Sequence, residues 1–574
     1  MNVMKKIFKS VLLLAAVTMG TGAFVGCSDD EKLETADALF RPIINEDDNI
    51  EQGLDENKIP YVVVTWDNYT NANQYTIKME ATDGSDTQEQ ITDKLTCRFE
   101  NLKYDKEYFV YISSANTDNG LSSKPYSITI TTLDYPTNLL TPATTDLIDT
   151  QARIKWAAGT NYDSLAVIKD SNDSLVVGVA VKDEDNAAAE KIVRNLEPKT
   201  TYRAEAYLNG AYQGKKRFTT TASEKYEGTV VDLRGLDEKE SLKWINANNL
   251  DSLIQLYPNQ DITIVLQGGM NYRLETVKFP VTSTTTGMIK FVTGLSLGGN
   301  AIWNVTGNFD FNNGLEMGGI YFEKIEFTDD ETKDKTQGNY GGTYLFNPQS
   351  DAKVGTIELK SCTVRYKRGV LRVRATNEIG NFIADDCIFE YIGGYGITNV
   401  DNNGAAIRNI KVTNSTFANC VRMFVNTKSK DSSCQKCEIA NCTFVYMAGT
   451  SRGLIELQEN EIPGGISIKN CIYGSAGEVH TAPQPEGGDP LAGIKGWTGK
   501  VVPNVDGCFF TSDLIWRMKE DGSLENPFDG TTLATDTKGT FKNPNPEGEL
   551  MPGDYTLVNP DAVKAKVGDP RWLP

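Results

Sequence analysis

The sequence predicts an all-β chain: two small β-sandwiches, then a right-handed parallel β-helix whose open start is covered by a capping helix. Three observations carry this prediction. Two early segments alternate apolar and polar residues, each with a tryptophan near its start and a leucine six residues before a tyrosine. A short motif then recurs at intervals of 25, 28, 27 and 29 residues. Between them lies one stretch with helical periodicity.

The chain has 574 residues, enough for several domains, and a formal net charge of −20. Such a surface repels nucleic acid, and an anionic ligand would need a local basic patch. The single histidine, His480, sits in the loop Val479-His480-Thr481-Ala482-Pro483, which argues against a Ser-His-Asp triad or a multi-histidine zinc site.

Residues 1–26 read as a signal peptide. Lys5, Lys6 and Lys9 precede an apolar run from Val11 to Val17 that is too short to span a bilayer. The run closes on Phe24-Val25-Gly26-Cys27, a lipobox-like end that makes Cys27 the expected lipidated first residue of the mature protein. An ordinary signal with an incidental cysteine is the alternative. Residues 27–57, polar from Ser28-Asp29-Asp30-Glu31 onward, are expected to be a tether. That acidic start resembles the export signal of Bacteroidetes surface lipoproteins. The resemblance implies a lipid anchor in the outer membrane, with the protein facing the exterior.

Residues 58–134 form the first expected sandwich, with strands in Tyr61–Trp66, Tyr75–Met79 and Tyr108–Ile112; residues 135–224 repeat the plan in Ala152–Trp156, Leu165–Ile168 and Tyr202–Tyr207. Leu102 precedes Tyr108 and Leu196 precedes Tyr202, the latter across Glu197-Pro198-Lys199-Thr200-Thr201. This spacing resembles the tyrosine corner of fibronectin type III domains. It implies a core tryptophan, a tyrosine hydroxyl that ties down a crossover, and a spacer role ahead of glycan binding by the loops.

Residues 225–574 form the expected β-helix. Leu242, Ile245, Leu250, Leu253 and Ile254 repeat with helical spacing up to Pro258, predicting one amphipathic cap over 237–257. The repeat follows as Ser361-Cys362, Asp386-Cys387, Asn414-Ser415, Asn441-Cys442 and Asn470-Cys471, with paired apolar residues five and three positions before each second member. One coil per repeat, with a small polar residue at each bend, is what a parallel β-helix requires. Looser coils are expected at Tyr321–Phe327 and Asp506–Phe510. The stretch Ile262–Tyr272 resembles the first coil of the pectate-lyase-like superfamily. Gly553-Asp554-Tyr555-Thr556-Leu557 and Gly568-Asp569-Pro570-Arg571-Trp572 resemble closing segments of β-helix proteins from Bacteroidetes polysaccharide-utilisation loci.

Of ten cysteines, Cys434, Cys437 and Cys442 have the spacing of half a zinc site without its other half. Cys362/Cys387 and Cys442/Cys471 fall in one column of adjacent coils, so a ladder of buried thiols is expected, with a disulfide in a stacked pair left open.

The distinctive polar cluster is Arg365, Lys367, Arg368, Arg372 and Arg374, with Asn399, Asp401 and Glu456 aligned in later coils. Arginine forks pair with carboxylates while Asn and Asp meet hydroxyls, so this surface suits an acidic, pectin-like polysaccharide. A solvated coil neutralised by nearby acids is the alternative. The superfamily resemblance implies a second function, calcium-dependent polysaccharide lyase. Arg372 or Arg374 would be the base, and Asp385, Asp401 or Glu456 would hold calcium. The carboxylate run and arginine motif of well-known pectate lyases are absent. Polygalacturonase-like chemistry is disfavoured because His480 lacks a Gly-His-Gly frame and no second carboxyl pairs suitably with Asp385. Binding without catalysis is the leading expectation, requiring no cofactor. Polysaccharide and the membrane are the expected partners, with neighbouring glycan-uptake proteins beside them. Non-enzymatic adhesion to a protein is the third reading.

Overall fold

The computed structural model describes residues 38–574 except 70, 276, 330–339, 429–432, 448–451, 478–489 and 547–550. Cys27, the signal peptide, the start of the tether and His480 therefore lie outside the described residues. Among the described residues no helix is long and apolar enough to cross a membrane. The chain divides into two compact units, Met1–Thr137 and Asn138–Pro574.

The first unit is a β-sandwich. One sheet orders Ile50–Leu54, Pro60–Thr65 and Thr96–Phe99; the other orders Thr87–Thr92, Gln74–Ala81 and Glu107–Asn116, with Leu121–Ser122 and Tyr126–Thr131 along the last strand. Strand Ile50–Leu54 pairs antiparallel with Pro60–Thr65, so part of the expected tether is the first strand of the domain. Trp66 and Tyr75 pack in the core with ring centroids 5.4 Å apart. The Tyr108 hydroxyl accepts a hydrogen bond from the Lys103 amide at 3.2 Å, which is the expected corner.

The second sandwich opens the other unit, with Ser174–Ala180, Ser164–Lys169, Thr201–Leu208 and Ala211–Thr219 in one sheet and Ala152–Lys155 paired with Glu190–Val193 in the other. Its corner repeats the first: the Tyr202 hydroxyl accepts from the Glu197 amide at 2.7 Å. Both sandwiches are thus fibronectin type III-like in strand arrangement and corner. The second is not a loose spacer. Arg234, just ahead of the β-helix caps, forms an ion pair at 2.9 Å with Asp149, which is fully buried. Arg153 donates to the Leu297 carbonyl at 2.8 Å, and the Leu297 amide donates to Gln151 at 3.2 Å.

The β-helix begins with Thr229–Asp232, which pairs in parallel with Ile262–Leu266, so the capping helices lie inside the first coil. The cap is two helices, Glu238–Trp244 and Ala247–Leu256, where one was expected. Asn246 breaks it: extended at φ −140°, it accepts from the Asn249 amide as an N-cap, a role asparagine favours. Ile245, Leu250 and Ile254 still seal the end of the interior.

Ten parallel strands, from Thr229–Asp232 to Asn504–Asp506, stack into one face. Register follows the expected columns: Ile357, Phe382, Ile410, Cys437 and Ile466 align, as do Leu359, Ala384, Val412, Ile439 and Ile468. The bend residues Ser361, Asp386, Asn414, Asn441 and Asn470 all adopt positive φ between 50° and 56°. Asparagine and aspartate tolerate this region best among residues with a Cβ. Their side chains stack: Asn441 donates to Asn414 at 3.0 Å and Asn470 to Asn441 at 2.9 Å. Behind the bends, Phe389, Phe417, Phe444 and Tyr473 stack at 5.0, 5.0 and 4.8 Å, which places their large apolar area in a continuous core.

The C-terminal segment runs along the side of the helix. Phe541–Asn543 and Asp554–Leu557 pair antiparallel, and Tyr555, Leu557 and Ala562 pack on the outward residues Ala418, Val445, Tyr446 and Ile472. Asp569 accepts from Thr416 at 2.7 Å, and the Trp572 indole donates to the same hydroxyl at 2.6 Å. The expected closing segment is therefore a lateral clasp.

Candidate functional site

The five basic residues Arg365 to Arg374 were expected to share one surface, and strand Thr363–Val373 explains why they do not. It turns a corner at Tyr366, whose φ is 57°, and its register with the next coil shifts between Lys367 and Gly369. The two-residue alternation is lost there, and the cluster divides three ways.

Arg365 stays on the near side of the corner, paired with Glu390 at 2.7 Å. Glu390 is buried and also accepts from the Tyr555 hydroxyl of the clasp at 2.9 Å. Arg365 thus belongs to the clasp's attachment. Lys367 points inward: it is 0 % exposed, donates to the Val305 carbonyl at 2.6 Å and lies 3.9 Å from the equally buried Asp329. Its burial takes it off the surface where the sequence reading had placed it.

Beyond the corner, Arg368, Arg372 and Arg374 remain at the surface, as Val370, Leu371 and Val373 face the core. Two tyrosines absent from the sequence expectation organise Arg368 and Arg372. Tyr344 and Tyr395 meet edge-on at 5.3 Å. The Arg372 guanidinium lies 4.3 Å from the Tyr395 ring centroid and that of Arg368 4.6 Å, favourable cation–π placements. Gly369 makes this possible: a Cβ there would come within 2.9 Å of the Tyr395 Cβ and 3.2 Å of the Tyr344 ring. The frame Gly393-Gly394-Tyr395-Gly396 was the signal available in the sequence.

Arg372 is anchored, donating through Nε to Asp401 at 2.7 Å and through Nη1 to the Tyr344 hydroxyl at 3.1 Å. Burial raises the Tyr344 phenol pKa against the opposing pull of Arg372 and Arg368, so Tyr344 stays a neutral partner. Arg374 donates to Gln349 at 2.9 Å and, among the described residues, forms no ion pair. Arg368 forms none among them either, and its Nε is buried there without an acceptor. On an acidic chain, this leaves two guanidinium groups without a carboxylate among the described residues, one of them, Arg368, seated on the Tyr395 ring.

The aligned column is in register, Arg372 with Asn399, Val425, Glu456 and Lys495. Two expected contact residues are nevertheless covered: Asn399 is 3 % exposed and Glu456 4 %. Glu456 is held bidentately by Arg422, at 3.0 and 2.6 Å, a pair the sequence reading missed. Asp401 stays partly open beside Arg372.

The three candidate calcium carboxylates are not brought together. Asp385 lies on the ten-stranded face, accepting from Thr413 at 2.6 Å and Asn414 at 2.8 Å, whereas Asp401 and Glu456 are each neutralised by arginine. Among the described residues no group of three His, Cys, Asp or Glu side chains is gathered for a metal ion. Already hydrogen-bonded or ion-paired carboxylates on different faces do not fit calcium, which takes six to eight oxygen ligands. The nine described cysteines are free and buried, the Cys434/Cys437 pair included. Burial pushes the Cys362 and Cys434 thiols up to about 12.

A separate groove of about 350 Å³ crosses the ten-stranded face, between Thr284–Thr286, Glu316, Lys353 and Glu378. It has no aromatic lining, and its glycines are required by backbone contact: a Cβ on Gly318 or Gly355 would lie 2.0 or 2.3 Å from a carbonyl oxygen of the preceding coil.

A family model described as "Domain of unknown function (DUF4957)" matches residues 284–420, a span that contains the whole arginine–tyrosine cluster. No curated protein matches the chain. Among solved structures, it is similar to a two-domain fibronectin type III segment of chicken tenascin, at 14 % identity and TM-score 0.15, covering 30 % of this chain and 100 % of that one. It is also similar to the FN1–FN3 domains of chicken CNTN1, at 13 % identity and TM-score 0.14, covering 30 % and 64 %. The sandwich assignment rests on the strand order and tyrosine corners described above.

Proposed function

We propose that this chain is a cell-surface lipoprotein that captures acidic, pectin-like polysaccharide on its β-helix without cleaving it. The observation that carries the reading is the surface guanidinium of Arg368, seated on the Tyr395 ring with no carboxylate partner among the described residues. A guanidinium held on a ring with its outer N–H groups unpaired suits a polymer that presents anionic groups. The lipobox-like Phe24–Cys27 and the acidic residues after it support an outer-membrane anchor, with glycan-uptake proteins as neighbours.

The lyase alternative has less support. Arg372 is committed to Asp401 and Tyr344, and a guanidinium held by a carboxylate is a poor base. The deciding experiment uses the chain from Ser28 onward, mixed with homogalacturonan, rhamnogalacturonan, alginate or chondroitin, with and without calcium, and followed by gel filtration. Co-elution with intact polymer supports capture. Shortened polymer replaces capture by cleavage, and neither change moves the function to protein adhesion.

A further inference from the structure

The two guanidinium groups on Tyr395 are chemically alike and differ in one respect. Arg372, 4.3 Å from the ring centroid, holds a carboxylate, that of Asp401. Arg368, 4.6 Å from the same centroid and 5.7 Å from that of Tyr344, holds no carboxylate among the described residues. Its Nε is removed from solvent with no acceptor among the described residues, so only the outer N–H groups are open to a ligand.

We infer that Arg368 is the anion-reading residue of this surface and that it takes a single carboxylate of the polymer, with Arg372 and Asp401 as its internal template. The inference rests on the capture reading above. With Nε shut in, a ligand meets Arg368 through its outer N–H groups, where two coplanar carboxylate oxygens accept paired hydrogen bonds. Asp401, held by the neighbouring Arg372 and partly open, disfavours a second negative charge there and can accept hydroxyl groups from the same sugar. Tyr395 holds the Arg368 guanidinium in place through its ring. Arg374 adds long-range attraction only, since its guanidinium is turned to Gln349.

The test measures binding of polygalacturonate, its fully methyl-esterified form and a sulfated galactan to the chain from Ser28, by affinity electrophoresis. Expected is retention by polygalacturonate, little by the ester and markedly less by the sulfated polymer. Arg368→Gln weakens retention about ten- to a hundredfold, the loss anticipated for charge-assisted hydrogen bonds. Arg368→Lys, which keeps the charge without the fork, recovers only part, and Arg374→Gln changes it less than Arg368→Gln. Thermal unfolding of each variant establishes that it is folded. If the unaltered protein binds none of the polymers, the capture reading fails and this inference with it. If it binds and Arg368→Gln binds equally, or the sulfated polymer binds as well as polygalacturonate, capture stands and the assignment of Arg368 to a carboxylate is overturned.

Discussion

The Lys367 ammonium donates to the carbonyl oxygen of Val305 at 2.6 Å, joining coils across 62 residues of sequence from inside the β-helix. The next residue, Arg368, points the other way, into the tyrosine cluster. One strand corner thus sends two adjacent cations to opposite sides of the wall, one bracing the interior and one available at the surface.

Removing the inner cation leaves Asp329 buried without its lysine. Lys367→Met is expected to cost about 3–5 kcal/mol, the penalty for breaking a buried pair from one side. The double variant Lys367→Met, Asp329→Leu is expected to recover much of it. Urea denaturation of the three proteins checks the pattern; a double variant as weak as the single one contradicts it.

The joint between the second sandwich and the β-helix should behave similarly. Arg234→Met strands the fully buried Asp149 carboxylate. The expected result is that the sandwich's calorimetric transition separates from that of the β-helix, with new proteolytic sites near 222–236. A single unshifted transition would contradict a stabilising role for the pair.

Asn441 sits mid-column at φ 53°, bonded to Asn414 and Asn470. Asn441→Ala is expected to lose about 2 kcal/mol, from left-handed backbone strain and two side-chain hydrogen bonds. Asn441→Gly removes the same bonds without the strain, so the gap between the variants in chemical unfolding isolates the backbone contribution.

Asp569 gives the clasp a pH dependence. Burial raises its pKa from the ordinary 3.8 to about 6, against the opposing effect of Arg571, with Asp386 nearby adding to the rise. Its folded-state pKa lies above its unfolded value, so its contribution is fully present below about pH 4 and is lost as pH rises through 6. Up to about 3 kcal/mol is involved. Hydrogen exchange of 551–573 between pH 4 and 7 should show the clasp loosening, and Asp569→Asn should flatten that change.

The described thiols should be inert in the folded protein. Each is buried, and where a shift is resolved it is upward, away from the reactive thiolate. Mass spectrometry after iodoacetamide is expected to show these nine sites unmodified until denaturant is added.

The bend column was legible because one backbone conformation, repeated each coil, admits few residue types, and Ser361, Asp386, Asn414, Asn441 and Asn470 stand at regular spacing. The tyrosine corners were legible for the same reason, a fixed local geometry with a fixed offset. Lys367 was misplaced because an alternation argument assumes a straight strand, and the corner at Tyr366 changes the face without changing the composition. Tyr344 and Tyr395 lie 51 positions apart, and only the coil register brings them together. Asn246 looked like an interior helix residue because apolar spacing continues across it.

The clasp has a temporal consequence. Residues 551–573 are made after every coil they cross, so each coil from Cys387 to Ile472 must first stand on its own stacking. Until the last stretch arrives, Ala418, Val445, Tyr446 and Ile472 form a bare apolar strip. A chain interrupted before Tyr555 would carry that strip permanently, marking it as incomplete to any chaperone or protease that recognises exposed apolar surface.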